Sequence, residues 1–418
     1  MGEAAVHGPP ARGRPRAATG IRGGRAGGCA SRLRQYEEAL NGPWWWTACA
    51  VAALTLAGLS TLTPHRVWGV VGAAGYTAAA WLTVRNGRTG RGATVLTVAA
   101  AGAAVLPLLI LLTVGRAQSE VAVVARSAGL LLSTGSPYTP HPGVAADFDP
   151  YLPGMAVFGL PQALAGTGPL TDPRLWTGAA FFGALALSAR GLPLLWLAAC
   201  PVLALPLAVG GVDLPVVGLM CLGLARAGRG AAGSAGFALG LAAALKWTAW
   251  PALPVALALL AVNRRGSQDD PAARGSGPGA ALRCGALALL TAAVPVLPVA
   301  LRDPGVFTTH VVAFPLGLTD TVSAAASPLP GHLLAAHVPA GRGIALALLA
   351  ASALLMAVSL FVRPPATGPA AALRVALGLS LAVVFMPASR FGYLVYPLTL
   401  AVWAAAGHRP APARKDLP

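Results

Sequence analysis

Charge is what this 418-residue chain has least of: 10% of it is Asp, Glu, Lys or Arg, against 56% apolar residues. An ordinary soluble domain carries about 25% charged residues. That excludes the two or three soluble domains the length would otherwise suggest at about 150 residues each. Disorder of the chain as a whole is excluded too, because it requires low hydrophobicity. Lysine is nearly missing, with only Lys246 and Lys415. Five cysteines (Cys29, Cys49, Cys200, Cys221, Cys284) show no CxxC spacing, which argues against a disulfide framework or a metal site and marks them as small core residues. No repeat of fixed period is visible. What remains is an all-α polytopic membrane protein, with a mean hydropathy of +0.67.

What the chain does have is arginine: 30 basic residues against 13 acidic ones give a net charge of +17. They fall in short clusters between apolar runs and form no basic soluble face with interleaved aromatics, so a nucleic-acid partner is not expected. Membrane topology accounts for them better. A spanning helix needs roughly 20 apolar residues, with about 17 tolerable. Segments 43–62, 67–84, 93–115, 175–189, 192–209, 212–225, 284–301, 342–362, 370–386 and 392–406 qualify or come close, and 233–262 reads as a two-pass hairpin breaking at Trp250-Pro251. The total is about twelve spans. Residues 152–165, bracketed by prolines, read as a re-entrant or juxtamembrane piece.

Orientation follows from the arginines. Arg85, Arg88 and Arg91 lie between the second and third spans, while only Arg66 follows the first, so the positive-inside rule places both termini in the cytoplasm of a plasma-membrane protein. The division is then a disordered basic tail over 1–42, a membrane domain over 43–406 and a second tail over 407–418. The membrane domain has outer loops at about 116–151 and 302–341 and a cytoplasmic linker at 263–283. The first tail, with a short amphipathic stretch near Arg32 to Leu40, could also touch anionic membrane lipids, at about 1 kcal/mol per basic residue near the surface. Trp44, Trp45 and Trp46 read as an interfacial cluster.

Ionisable residues at the membrane edge are functional candidates by default, and the topology gathers most of them outside. They include Glu120, Arg126, Asp147, Asp149, Asp213, Lys246, His310, His332 and Arg390. Taken without a function, Glu120 is an interfacial carboxylate paired with Arg116 or Arg126, Asp147 shapes the turn before Pro150, and Asp149 is structural. Lys246, beside Trp247 and Trp250 at the hairpin tip, is then a snorkelling anchor and Arg390 an interfacial arginine. His310 and His332 read as loop histidines. No metal and no cofactor is implied.

An acidic residue just outside a span, about eighteen positions before Gly135-Ser136-Pro137-Tyr138 and followed by Asp147-Phe148-Asp149-Pro150-Tyr151, resembles the first outer loop of the GT-C glycosyltransferases. The similarity is to the actinobacterial glycosyltransferase 87 group of polyprenol-phosphate-mannose-dependent mannosyltransferases. Leu245-Lys246-Trp247-Thr248-Ala249-Trp250-Pro251, Pro315-Leu316-Gly317-Leu318 with Ala326-Ser327-Pro328-Leu329-Pro330-Gly331, and Ser389-Arg390-Phe391-Gly392-Tyr393-Leu394-Val395-Tyr396-Pro397 extend it over about 93–406. It implies a hexosyltransferase, and more narrowly a mannosyltransferase, using a polyprenyl-phosphate sugar donor and a glycan or glycolipid acceptor. Glu120 would be the base, standing where the family usually has Asp. Arg126, Tyr138, Asp147, Tyr151, Lys246, Arg390 and Tyr393 would bind substrate, Asp147 through a hydrogen bond to the acceptor sugar and Lys246 and Arg390 at the phosphate. Val124 stands at a position that is aromatic in the family. The rival readings are a transporter or flippase for a lipid-linked sugar, which should carry charges along a midplane pathway, and a non-catalytic membrane protein of the same fold.

Overall fold

The computed structural model describes Gly2 and residues 42–86, 92–189, 193–262, 276–321 and 325–407. The stretch near Arg32 to Leu40, nearly all of the first tail, most of the linker and nearly all of the second tail lie outside the described residues. Four helices open the bundle: α1 (Pro43–Leu59), α2 (Thr63–Asn86), α3 (Gly92–Thr113) and α4 (Ser119–Thr134). An irregular stretch leads to α5 (Pro173–Ser188), α6 (Leu194–Ala199), α7 (Pro201–Val209), α8 (Leu214–Gly228), α9 (Ala232–Leu245) and α10 (Ala252–Val262). Five more close it: α11 (Pro278–Arg302), α12 (Pro330–His337), α13 (Gly341–Val362), α14 (Gly368–Phe385) and α15 (Val395–Gly407). Among the described residues the only β pairing is an isolated bridge, Ala326 to Ser389.

The all-helical, membrane-type architecture therefore stands. By length and composition α2, α3, α11, α13 and α14 can each cross a bilayer. A helix of 14 residues such as α9 is about 21 Å long, short of the roughly 30 Å hydrocarbon layer. The expected count of about twelve thus depends on shorter helices crossing together with their irregular ends. The expected span 192–209 is in fact two helices, α6 and α7, broken at Cys200 because Pro201 follows. The proposed hairpin over 233–262 consists of α9 and α10, separated by a 3-10 turn at Trp247–Ala249.

Polar groups freed by proline find side-chain partners, as an apolar surrounding demands. In α3 a π turn at Ala101–Val105 precedes Pro107, which has no N–H to offer the Ala103 carbonyl; the Trp68 indole N–H donates to that oxygen at 2.7 Å. At the α6–α7 break the Tyr76 hydroxyl donates to Ala199 O at 2.7 Å. Gly236 and Gly240, one turn apart on α9, lie so close to α11 that a Cβ on either would run into the backbone at Cys284 or Ala288. Small residues of this kind let helices approach closely in lipid. The four described cysteines, Cys49, Cys200, Cys221 and Cys284, are buried in the core, as expected.

The tryptophan cluster differs from its expected interfacial role. Successive helical residues point about 100° apart, so only Trp44 faces outward, 84% exposed, whereas Trp46 is fully buried and stacked on Tyr76.

Candidate functional site

Chain alternation brings the turns after α1, α3, α7, α9, α11 and α14 to the same end of the bundle, and backbone hydrogen bonds lock these turns together. Gln118 N–H donates to Val209 O at 2.8 Å, and Leu152 N–H to Leu245 O at 3.0 Å. Ser327 N–H donates to Ser389 O at 3.0 Å, and the Ser327 hydroxyl accepts from Phe391 N–H. Between these turns lies a cavity of about 630 Å³. Leu56 of α1, Leu205 and Val209 of α7, and Leu379 and Val383 of α14 give it apolar walls; Glu120, Asp213, Lys246 and Arg390 supply its charge.

Two ion pairs cross the cavity. Lys246 Nζ lies 2.5 Å from Asp213 Oδ1, and the same oxygen accepts from the Tyr396 hydroxyl at 2.6 Å. Thr248 in turn donates to Tyr396 Oη at 2.7 Å. Lys246 also faces the rings of Tyr393 at 4.7 Å and Tyr151 at 5.4 Å, within range of cation–π attraction. The second pair is looser: Arg390 Nη1 stands 3.3 Å from Glu120 Oε2.

Glu120 opens α4, where its charge complements the positive end of the helix dipole. Its side chain fits because Gly210 has none; a Cβ there would collide with the carboxylate. Gly211, at φ +84°, makes the turn left-handed and directs its N–H to Glu120. Burial first, and then the neighbouring Asp213, push the Glu120 carboxyl above the usual range, while Arg390 and Lys246 pull it back. A raised carboxyl suits a general base, whose best pKa lies near the working pH.

Of the eight residues expected at the site, Glu120, Tyr151, Lys246, Arg390 and Tyr393 line the cavity. Arg126, Tyr138 and Asp147 do not; they frame the loop. Arg126 donates to Ala146 O and Asp147 O, so Glu120 is paired with Arg390 and neither Arg126 nor Arg116. The Asp147 carboxylate accepts from Gly143 and Val144 N–H and shapes the turn. Tyr138 is buried and donates to Tyr151 O at 2.9 Å, which positions the cavity residue Tyr151. Lys246 is buried in its pair with Asp213, so the snorkelling reading fails.

Asp149 is structural, as expected, but His310 is far from an ordinary loop histidine. It is fully buried and stacked on Tyr138, with Nδ1 accepting from Asp149 N–H at 2.9 Å and Nε2 facing Thr139 O at 2.9 Å. It fastens the two long loops together.

Thr248, Tyr396 and Gly211 also line the cavity and had no role assigned from the sequence, and Asp213, a candidate only as an edge charge, proves to be the counter-charge of Lys246. The signal for this turn was a lone carboxylate two positions after Gly210-Gly211, between two apolar runs. Among the described residues no three His, Cys, Asp or Glu side chains are grouped to hold a metal. The chain matches no family model, no curated protein and no solved structure.

Proposed function

We propose that this is a GT-C-type membrane hexosyltransferase that moves a sugar, mannose in the nearest reading, from a polyprenyl phosphate to a glycan or glycolipid acceptor outside the plasma membrane. The observation that carries the reading is two carboxylate–cation pairs, one clamped and one loose, facing one apolar-walled cavity at a single end of the bundle. Glu120 takes the proton of the acceptor hydroxyl. The oxygen attacks the anomeric carbon, the bond from that carbon to the phosphate oxygen breaks, and its electron pair leaves with the lipid phosphate. Arg390 is the cation for that developing charge, and Lys246, held by Asp213, supports it from the far side. Direct displacement inverts the anomeric centre. The apolar walls from α1, α7 and α14 suit the prenyl chain.

The test is transfer of label. Purified protein in lipid, given a radiolabelled polyprenyl-phosphate sugar and a crude glycolipid acceptor, should transfer the sugar, and Glu120→Gln should lower the rate by about 100-fold or more, as loss of a general base does, while the protein still folds. Transfer that survives the substitution sinks the base assignment; label that merely crosses between leaflets points to a flippase.

A further inference from the structure

The two ion pairs of the cavity differ in a way that assigns them different jobs. Lys246 and Asp213 are clamped: the contact is 2.5 Å, Tyr396 braces Asp213, Thr248 braces Tyr396, and the lysine is 8% exposed. Arg390 and Glu120 are not. Their contact is 3.3 Å, longer than the roughly 2.7–2.9 Å of a good charge-assisted bond, and the arginine side chain is 31% exposed. Arg390 Nε is buried with no hydrogen-bond partner among the described residues. An unpaired buried donor favours any ligand that brings it an acceptor. The backbone on either side is pinned, by Ser389 O to Ser327 N–H and by Phe391 N–H to Ser327 Oγ. A change of partner at Arg390 therefore needs only side-chain rotation.

We propose that Arg390 exchanges partners during the cycle: at rest it holds Glu120, and an incoming prenyl phosphodiester takes the guanidinium and releases the carboxylate toward the acceptor hydroxyl. This rests on reading the cavity as a glycosyl-transfer site. A phosphodiester offers one negative charge and two free oxygens, a match for the guanidinium fork that one oxygen of Glu120 does not provide. The clamped Lys246 leaves Arg390 as the cation free to move. Glu120 is thus restrained until the donor is seated, which makes binding ordered, donor first. It also keeps the base from activating water in a cavity without donor.

Exchange has a thermodynamic consequence. Glu120 loses its counter-charge and gains an anionic neighbour, so the complex must bind protons more readily than the free protein at some pH. Titration calorimetry on the full chain in lipid nanodiscs measures this, with farnesyl methyl phosphate, whose charge is fixed, as the probe. Runs between pH 5 and 8 in buffers of different ionisation enthalpy give the protons taken up. The expected result is uptake of a fraction of a proton with a maximum inside that range. Uptake should be lost in Glu120→Gln, which binds the probe at least as tightly, and Arg390→Ala should bind it tenfold more weakly or worse. His65, Asp213 and Lys246 also line the cavity, and uptake that persists in Glu120→Gln would belong to them and overturn the exchange. Binding by the unaltered protein with no uptake at any pH overturns it as well, while leaving the phosphate site standing. If the unaltered protein does not bind the probe, the glycosyl-transfer reading itself falls.

Discussion

Lys246 Nζ and Asp213 Oδ1 meet at 2.5 Å although they belong to different helix-end turns, 33 positions apart in the chain. Each is the other's counter-charge in a place where solvent reaches little of either side chain. The pair fixes the end of α9 to the start of α8, and both residues line the cavity.

Removing one partner of such a pair costs far more than removing both. Lys246→Ala leaves Asp213 as an uncompensated buried charge, at about 3–5 kcal/mol. The double substitution Lys246→Met with Asp213→Asn should recover most of that loss. Thermal unfolding of the variants in one detergent reads the difference. A double variant no more stable than Lys246→Ala alone would mean that the cost lies elsewhere.

Gly210→Ala tests the seat of Glu120 without touching a charged group. The added methyl occupies the carboxylate's position, and displacement of a catalytic group by about 1 Å can cost roughly 100-fold in rate. Gly183→Ala on α5, where a Cβ meets nothing within 4 Å, is the matched control. Transfer rates should fall for Gly210→Ala and hold for Gly183→Ala.

Asp149 makes stability depend on pH. Burial pushes its carboxyl up to about 7, against the pull of Ser127 and the Tyr151 N–H. A group raised in the folded state favours folding below its ordinary value of 3.8, and that contribution is lost as pH rises through about 7. His310 works in the opposite sense: burial lowers it, so its contribution is lost as pH falls below the usual histidine range. Asp149→Asn removes only the first effect. The melting temperature of Asp149→Asn relative to the unaltered protein should therefore climb between pH 5 and pH 8; a flat difference would contradict the burial argument.

Orientation can be read with single cysteines. Val144 is 60% exposed in the first long loop, and Ala366 is exposed in the turn between α13 and α14. With Cys29 replaced, Val144→Cys should react with an impermeant maleimide added to intact cells. Ala366→Cys should react only after the cells are opened. The reverse pattern would invert the topology that the arginines imply.

Much of the helical plan was legible in the apolar runs, because burial in lipid and in a packed bundle leaves the same mark on a sequence. Glu120, Lys246 and Arg390 were legible for a related reason: charges are so scarce that each one at a helix end stands out. Their partners were harder to see. The Lys246–Asp213 and Glu120–Arg390 pairs form only when separate turns converge, and no local pattern encodes that. Arg126 was a more avoidable error. Six positions along a helix rotate a side chain by about 240°, so once 119–134 is helical, Arg126 and Glu120 point to different faces. His310 escaped because its role depends on a loop 161 positions away.

The bridge between Ala326 and Ser389 joins the second long loop to the residue just before Arg390. Ser327, the next residue, holds the backbone on both sides of Arg390, through its N–H to Ser389 O and its hydroxyl to Phe391 N–H. The second long loop is therefore the mount of that arginine: it keeps the backbone still and leaves only the side chain to turn.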